Sequence, residues 1–409
     1  MFSSRRFKGL FVLLVAFFLV CFLYSFFVSD KRLCTSPTAS DSFVASGKTA
    51  ANIDIIALTL KDLNQTLSKF VSRFHHEANT KSATTKPTAK STLKSTSKPT
   101  SKSTSKPSID IVNDYYPFVD FKFVFPEIIP KVETTPNIFM IVLVNSGAKG
   151  DEFRKRREAI RQTWGNRENC EHRQASQDER LKHLRWLLVF VVGKAGTGTN
   201  DDELNMAEAR QHNDMLIGNI TDNYINNIIK FYMGQIWASR FDVKYTMKTD
   251  DDVYVRIPRV LEYLVHAKFP RLFYGGMTYL PIPVNRAIGG KWTVSWKYFG
   301  EVNFPMFNAG VFIILSSDLL YRLFNYAHVR KPFHTDDAYV GVAMRDFGVK
   351  VTTIFSLGLR PDMNEFVRKE KDCKILGIDG FAHNMDPQST RFLFERLEKL
   401  VCRSNLVKC

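Results

Sequence analysis

The stretch "KYTMKTDDDVYVR", residues 244–256, ends an apolar-alternating run in three consecutive aspartates, Asp250, Asp251 and Asp252. One or two would suit a solvated turn or a helix N-cap, where Asp is favoured. Three adjacent carboxylates repel one another unless a cation compensates, so a divalent-metal site is the rival reading. Hard carboxylate oxygens suit Mg or Mn, with a nucleotide diphosphate completing the shell. A second acidic pair, Asp336 and Asp337 in "TDDAYVGVAMRDFG", reads by itself as the first-turn acids of a helix running to Gly348, where the helix dipole favours carboxylates. In "RREAIRQTWG", Arg157 and Arg161 lie at i,i+4 on one helix face, and planar guanidinium groups suit phosphate oxygens. Arg154, Lys155 and Arg156 beside them read as a solvated basic face. His383 in "GFAHNMDP" is, taken alone, an ordinary half-buried histidine.

These residues need elements to hold them. "NIFMIVLVNSG" and "LRWLLVFVVGKAG" are short continuous apolar runs ended by glycine-containing turns, as expected of strands buried in a parallel sheet. Between them "DEFRKRREAIRQTWG" reads as a helix from Asp151 that stops at Gly165, which makes a strand–helix–strand unit. "DNYINNIIKFYMGQIWASR" supplies another helix before the strand "KYTMKT". The aspartate triplet then falls at the carboxyl end of a sheet strand, where open α/β sheets bind ligands.

The 409-residue chain carries a formal charge of +16. Seven lysines without an acid between Ala78 and Ile109, with Arg5, Arg6 and Lys8, account for ten of those sixteen charges. The remaining excess is spread thinly and lacks the basic, aromatic stripe of nucleic-acid binding. Leu10 to Val28 is an uninterrupted apolar run, long enough to span a bilayer, which takes roughly 20 helical residues. Arg5, Arg6 and Lys8 before it predict a cytoplasmic N-terminus and a luminal remainder. The expected organisation is a cytoplasmic tail (1–9), a signal anchor (10–28), a stem (29–135, Lys/Ser/Thr/Pro-rich over 81–108) and a luminal catalytic domain (136–409). Asn64 and Asn219 each open an Asn-x-Thr glycosylation pattern. Outside the span remain Cys34, Cys170, Cys373, Cys402 and Cys409. Their odd number makes Cys34, next to the membrane, the candidate for a disulfide-linked dimer. No C-x-x-C zinc pattern, serine-hydrolase G-x-S-x-G or EF-hand spacing is present in the sequence.

Set in that topology, "RREAIRQTWG", "KYTMKTDDDVYV", "KWTVSWKYF", "FPMFNAGVFIILS" and "DDAYVGV" occur in the order and approximate spacing of the β-1,3-galactosyltransferase family, glycosyltransferase family 31. The resemblance covers about Asn137 to Asp386. It implies an α/β fold of GT-A type, a mostly parallel nucleotide-binding sheet flanked by helices. It further implies that Asp252 binds Mn directly with His383 completing the metal site, and that Asp250 and Asp251 lie nearer the ribose or water shell. Arg157 and Arg161 would stand near the donor nucleotide, and Asp337 takes the position of the catalytic base.

The reaction so implied is inverting transfer of galactose from UDP-galactose to the 3-hydroxyl of a terminal sugar on a glycan acceptor, in the Golgi membrane. UDP-N-acetylglucosamine is the alternative donor, and a catalytically inactive sugar-binding relative is the third reading. Two departures stand out: Phe312 replaces a family glycine, where a bulky ring is expected to reshape the sugar pocket, and Asp336 replaces a glutamate. Trp292, Trp296 and Phe307 are candidate sugar platforms.

Overall fold

The computed structural model describes residues 113–132 and 138–402. The anchor expected at 10–28, most of the stem, Asn64, Cys34 and Cys409 lie outside the described residues. Among the described residues no helix is long and apolar enough to cross a membrane.

The described chain opens with strand β1 (Pro126–Ile128), then β2 (Ile138–Asn145), helix α1 (Asp151–Gln162), α2 (Cys170–Gln177), β3 (Arg185–Lys194), α3 (Asp201–His212) and β4 (Met215–Thr221). It continues with α4 (Asn227–Ala238), β5 (Tyr245–Asp250), β6 (Tyr254–Val255), α5 (Ile257–His266), β7 (Tyr274–Tyr279) and β8 (Phe307–Ser316). Next come α6 (Leu320–Val329), α7 (Asp336–Asp346), β9 (Val351–Thr353), β10 (Leu357–Leu359), α8 (Met363–Lys369), α9 (Asp372–Leu376), β11 (Gly380–Ala382) and α10 (Pro387–Cys402).

Eight strands form one sheet in the order β1-β4-β3-β2-β5-β8-β7-β9. The β4-β3-β2-β5 portion is parallel, as the apolar runs predict, while β8 pairs antiparallel with both β5 and β7. The sheet is therefore mixed. The continuous apolar character of β2 follows from covering on both faces: Met140, Val142 and Val144 belong to one core cluster, Ile141 and Leu143 to the other. From β2 the chain winds through β3 to β4 on one side, then returns to β5 on the other. The crevice at the carboxyl ends of β2 and β5 is thus a topological switch point, with Asp250 paired directly to Asn145.

A second, three-stranded sheet, β10-β11-β6, stands apart from the first. Its register pairs Phe381 with Tyr254, so the residues just before β6 and just after β11 are drawn together although more than a hundred positions separate them. A disulfide joins Cys170 to Cys402, tying α2 to the end of α10. Cys373 is disulfide-bonded as well.

The assignment of residues up to 135 to a stem is corrected for 113–132. Val119 is buried and its N–H donates to Tyr298 Oη at 2.8 Å, Tyr116 N donates to Ser295 Oγ, and β1 extends the main sheet at β4. Phe121 and Phe123 pack edge-on against Tyr232. The Lys-rich composition that marks the stem ends before this aromatic stretch begins. Asn219 lies on β4 with an exposed side chain.

Phe312 also departs from expectation. Its side chain is fully buried in β8, and the ring packs over Gly380 of β11 rather than into a sugar pocket. A Cβ added at Gly380 would sit 2.6 Å from Phe312 Cε1, so the bulky ring is accommodated by an absent side chain in the neighbouring sheet. Gly380→Ala is expected to lower unfolding free energy by about 1–3 kcal/mol through overpacking. Chemical denaturation measures this, and adding Phe312→Leu to the same chain should restore part of the loss.

Candidate active site

The switch-point crevice opens into a cavity of about 520 Å³ whose lining includes Asp250, Asp336, Asp337, Lys248, Trp292 and His383. Four of these come from β5 and the start of α7, and the other two from the β7–β8 connection and the turn after β11.

The three consecutive aspartates have separate surroundings. Asp250 ends β5, half-exposed, with Oδ1 accepting a 2.8 Å ion-pair contact from Lys248 Nζ. Asp251 is buried and turns back into the fold: it accepts from Ser146 Oγ at 2.6 Å and from Arg156 Nη1 at 3.1 Å. Burial pushes its carboxyl up to about 6 against those two partners. Asp251 therefore anchors the loop to β2 and α1 and is absent from the cavity lining, which corrects its assignment to the ribose or water shell. Asp252 holds the turn after β11, accepting from Asn384 N at 2.9 Å on Oδ2 and from Met385 N on its carbonyl. Burial, then the charge of Asp250, raises its pKa.

His383 lines the cavity beside this turn, with Nδ1 buried and lacking a hydrogen-bond partner. Carboxylate oxygens and an imidazole nitrogen match the donors a first-row divalent ion accepts, so Asp252 and His383, with Asp250 nearby, fit such an ion in chemistry. Among the described residues no group of three His, Cys, Asp or Glu side chains could hold a metal unaided. A metal here would need ligands from a bound diphosphate or water.

Asp337 sits at the first turn of α7. Its Oδ1 accepts from Ala338 N at 2.8 Å and its Oδ2 from Gly310 N at 3.2 Å. Burial, then the charge of Asp336, raises it to about 6, against the opposing pull of those amides and of Lys248. A half-buried carboxylate poised near neutrality beside open volume is suited to accept a proton. Tyr224, whose phenol is pushed up by burial and by Asp337, Asp336 and Asp250, closes the same wall. Lys291 Nζ lies 4.6 Å above the Tyr224 ring.

The arginine assignments change most. Arg157 has no exposed surface, and every one of its N–H groups is engaged: Nε and Nη2 hold the Glu208 carboxylate, Nη2 also reaches Asn205, and Nη1 donates to Ser146 Oγ and Gly147 O. No donor remains for a phosphate. Arg161 grips Asp214 through two parallel bonds and Glu208 through a third. Both belong to a buried ion-pair network under α1 and are absent from the cavity lining, in place of the expected position near the donor nucleotide. Arg156, grouped above with a solvated face, is instead the one bonded to Asp251, and Arg154 pairs with Asp201 at 2.6 Å.

Lys248 is the residue that motif reading passes over. It occupies a buried strand position where an apolar side chain is expected, and that break in the run was the available signal. Of the proposed platforms, Trp292 is 59 % exposed and lines the cavity, Phe307 is buried at its floor, and Trp296 lies outside the lining, beneath Arg286 at 3.9 Å.

Residues 155–354 match the family model described as "Galactosyltransferase". The chain is 28 % identical over 218 residues to "Beta-1,3-galactosyltransferase 1" of Mus musculus and of Homo sapiens, covering 52 % of this chain and 61 % of each relative. It is 33 % identical over 205 residues to "Beta-1,3-galactosyltransferase brn" of Drosophila melanogaster, covering 48 % and 58 %. It is thus similar to these proteins over about three fifths of their length. Among solved structures, a 4-diphosphocytidyl-2C-methyl-D-erythritol synthase from Anaerococcus prevotii is similar at a TM-score of 0.31 and 11 % identity, covering 53 % of this chain and 86 % of that one. That likeness is too slight to bear on fold or function.

Arg157→Ala is expected to lower stability by about 3–5 kcal/mol in urea denaturation, because it removes a fully buried guanidinium from the network and leaves the Glu208 carboxylate to Arg161. Unchanged stability with weakened nucleotide binding would return Arg157 to the donor site.

Proposed function

We propose, from the galactosyltransferase family match over residues 155–354 and the similarity to β-1,3-galactosyltransferases, that this chain transfers galactose from UDP-galactose to the 3-hydroxyl of a terminal β-glycoside, inverting the anomeric configuration. The observation that carries the reading is Asp337, a half-buried carboxylate held by the amides of Gly310 and Ala338 with its proton affinity raised to about 6, lining one cavity with Asp250 and His383.

Asp337 receives the proton of the acceptor hydroxyl as that oxygen forms its bond to the anomeric carbon. The bond from that carbon to the diphosphate breaks, and UDP leaves with the electron pair. An α-linked donor so attacked yields a β-glycoside. A divalent ion such as Mn, with Asp252 and His383 as its protein ligands and Asp250 beside them, supplies positive charge to the leaving diphosphate when bound. Exposed Trp292 at the cavity mouth offers an apolar ring face to a sugar. The relatives' printed names support galactose as the donor sugar, and UDP-N-acetylglucosamine is the competing one.

The proposal extends to architecture and placement. We assign the domain to the GT-A type on its switch-point crevice. The apolar run from Leu10 to Val28 and its flanking charges support a single-pass type II protein of the Golgi membrane with a luminal catalytic domain. Asn64 and Asn219 would then be exposed to glycosylation, and Cys34 to pairing with a second chain.

The test incubates the full chain with a panel of UDP-sugars and β-glycoside acceptors, with Mn or with chelator. Transfer from UDP-galactose is expected only with the metal, and preference for UDP-N-acetylglucosamine would replace the donor assignment. Asp337→Asn should lose about 10²–10⁴-fold in kcat, the range for a general base, while UDP binding measured by calorimetry persists. Because the base works deprotonated, the wild-type rate should fall as pH drops through about 6. An Asp337→Asn enzyme of near-normal rate sinks the mechanism.

A further inference from the structure

Lys248 has no part in the steps above, yet its position is unusual. Its side chain is 3 % exposed, and its Nζ makes contacts to three groups: Gly310 O at 2.7 Å, Asp250 Oδ1 at 2.8 Å and Asp336 Oδ2 at 3.5 Å. A buried lysine normally gives up its proton. Here burial pulls in that direction, and the charges of Asp250 and Asp336 more than reverse it, holding the ammonium above the ordinary lysine range.

Gly310 connects this cation to Asp337. Its carbonyl accepts from Lys248 while its N–H donates to Asp337 Oδ2. A Cβ placed on Gly310 would lie 3.3 Å from Lys248 Nζ and 3.6 Å from Asp337 Oδ2, so lysine and aspartate close over the same face of the glycine. The peptide is clamped from both ends.

We propose that Lys248 is the positioning residue for Asp337: through Gly310 it fixes the carboxylate, and its buried charge keeps that carboxylate ionised beside Asp336. The same ammonium touches Asp250, so one side chain ties the acid at the end of β5 to those at the start of α7. This deepens the reading of Asp337 as the base and rests on it. The charged and titratable groups facing Asp337 are Asp336 on α7, Lys248 on β5, Tyr274 and Tyr279 on β7, and Tyr224 before α4. Among these, Lys248 supplies the positive charge.

The test is a titration of the full chain labelled with γ-13C aspartate, read by NMR, with the Asp337 resonance identified by its loss in Asp337→Asn. Lys248→Met is expected to raise the Asp337 midpoint by about one unit or more, whereas Lys248→Arg, which keeps the charge, should leave it near the wild-type value. Lys248→Met strands Asp336 and can prevent folding, so a second pair is measured. Asp336→Asn alone should lower the midpoint, and Asp336→Asn combined with Lys248→Met should bring it back up. An Asp337 midpoint unmoved by Lys248→Met, or a double variant indistinguishable from Asp336→Asn, overturns the proposal. The readout needs no turnover: shifted midpoints in a chain that transfers no sugar would support the role of Lys248 and sink the galactosyltransferase reading instead.

Discussion

The ion pair between Lys248 and Asp250, 2.8 Å long and set at the end of a strand paired on both edges, is the constraint around which the cavity is arranged. Carboxylates brought together out of water repel, and each raises the others' proton affinity. A lysine in the wall supplies the opposite charge where Asp250 and Asp336 approach from different elements, β5 and α7. Asp337 is left as the acid with only amide donors at hand and an elevated proton affinity. Removing positive charge from this wall would alter every acid in the crevice at once.

The same principle distributes labour along the aspartate triplet. Identical neighbours in sequence acquire different surroundings because β5 ends at Asp250 and the chain then turns. Asp250 stays with Lys248 on the cavity side, Asp251 is swung under β2 to meet Ser146 and Arg156, and Asp252 meets the backbone after β11. Charge repulsion across the triplet is thus relieved by three separate partners: a lysine, an arginine and an amide. A motif defined by three equal letters conceals that division. Only the direction of each side chain reveals it, and direction is set by where the strand stops.

Much of the fold was legible because continuous apolar runs leave few options. β2, β3 and β5 and the helices between them follow from run length and glycine-bounded ends, and the switch-point location of Asp250 follows from those. What the runs could not tell is which charged residues lie inside. Arg157 and Arg161 sit at a spacing that fits both a phosphate face and a buried carboxylate cradle. Glu208 and Asp214, which decide between them, lie nearly fifty positions or more away. Lys248 is hidden in the same way, since its partners Gly310 and Asp336 arrive from β8 and α7. Side-chain pairing over such separations is a property of topology, not of local pattern. The aromatic stretch around Phe121 was likewise absorbed into a stem by composition, although its rings need Tyr232 and the sheet edge to be buried.

The small sheet β10-β11-β6 explains how the candidate metal corner is assembled. Pairing of β11 with β6 fixes Phe381 opposite Tyr254, and that register alone carries His383 to the neighbourhood of Asp252. Phe312 reinforces it from the large sheet, because its ring fills the space that a side chain at position 380 would need. The substitution that looked like damage to a sugar pocket is therefore part of what joins the two sheets. Glycine at 380 and phenylalanine at 312 are a matched pair, and the position of His383, three residues beyond Gly380, inherits the tightness of that contact. The metal corner and the proton-accepting corner then rest on separate supports, the sheet-to-sheet contact for one and the Lys248–Gly310 clamp for the other. Strand β8 carries both Phe312 and Gly310, two residues apart, and so sets the distance between them.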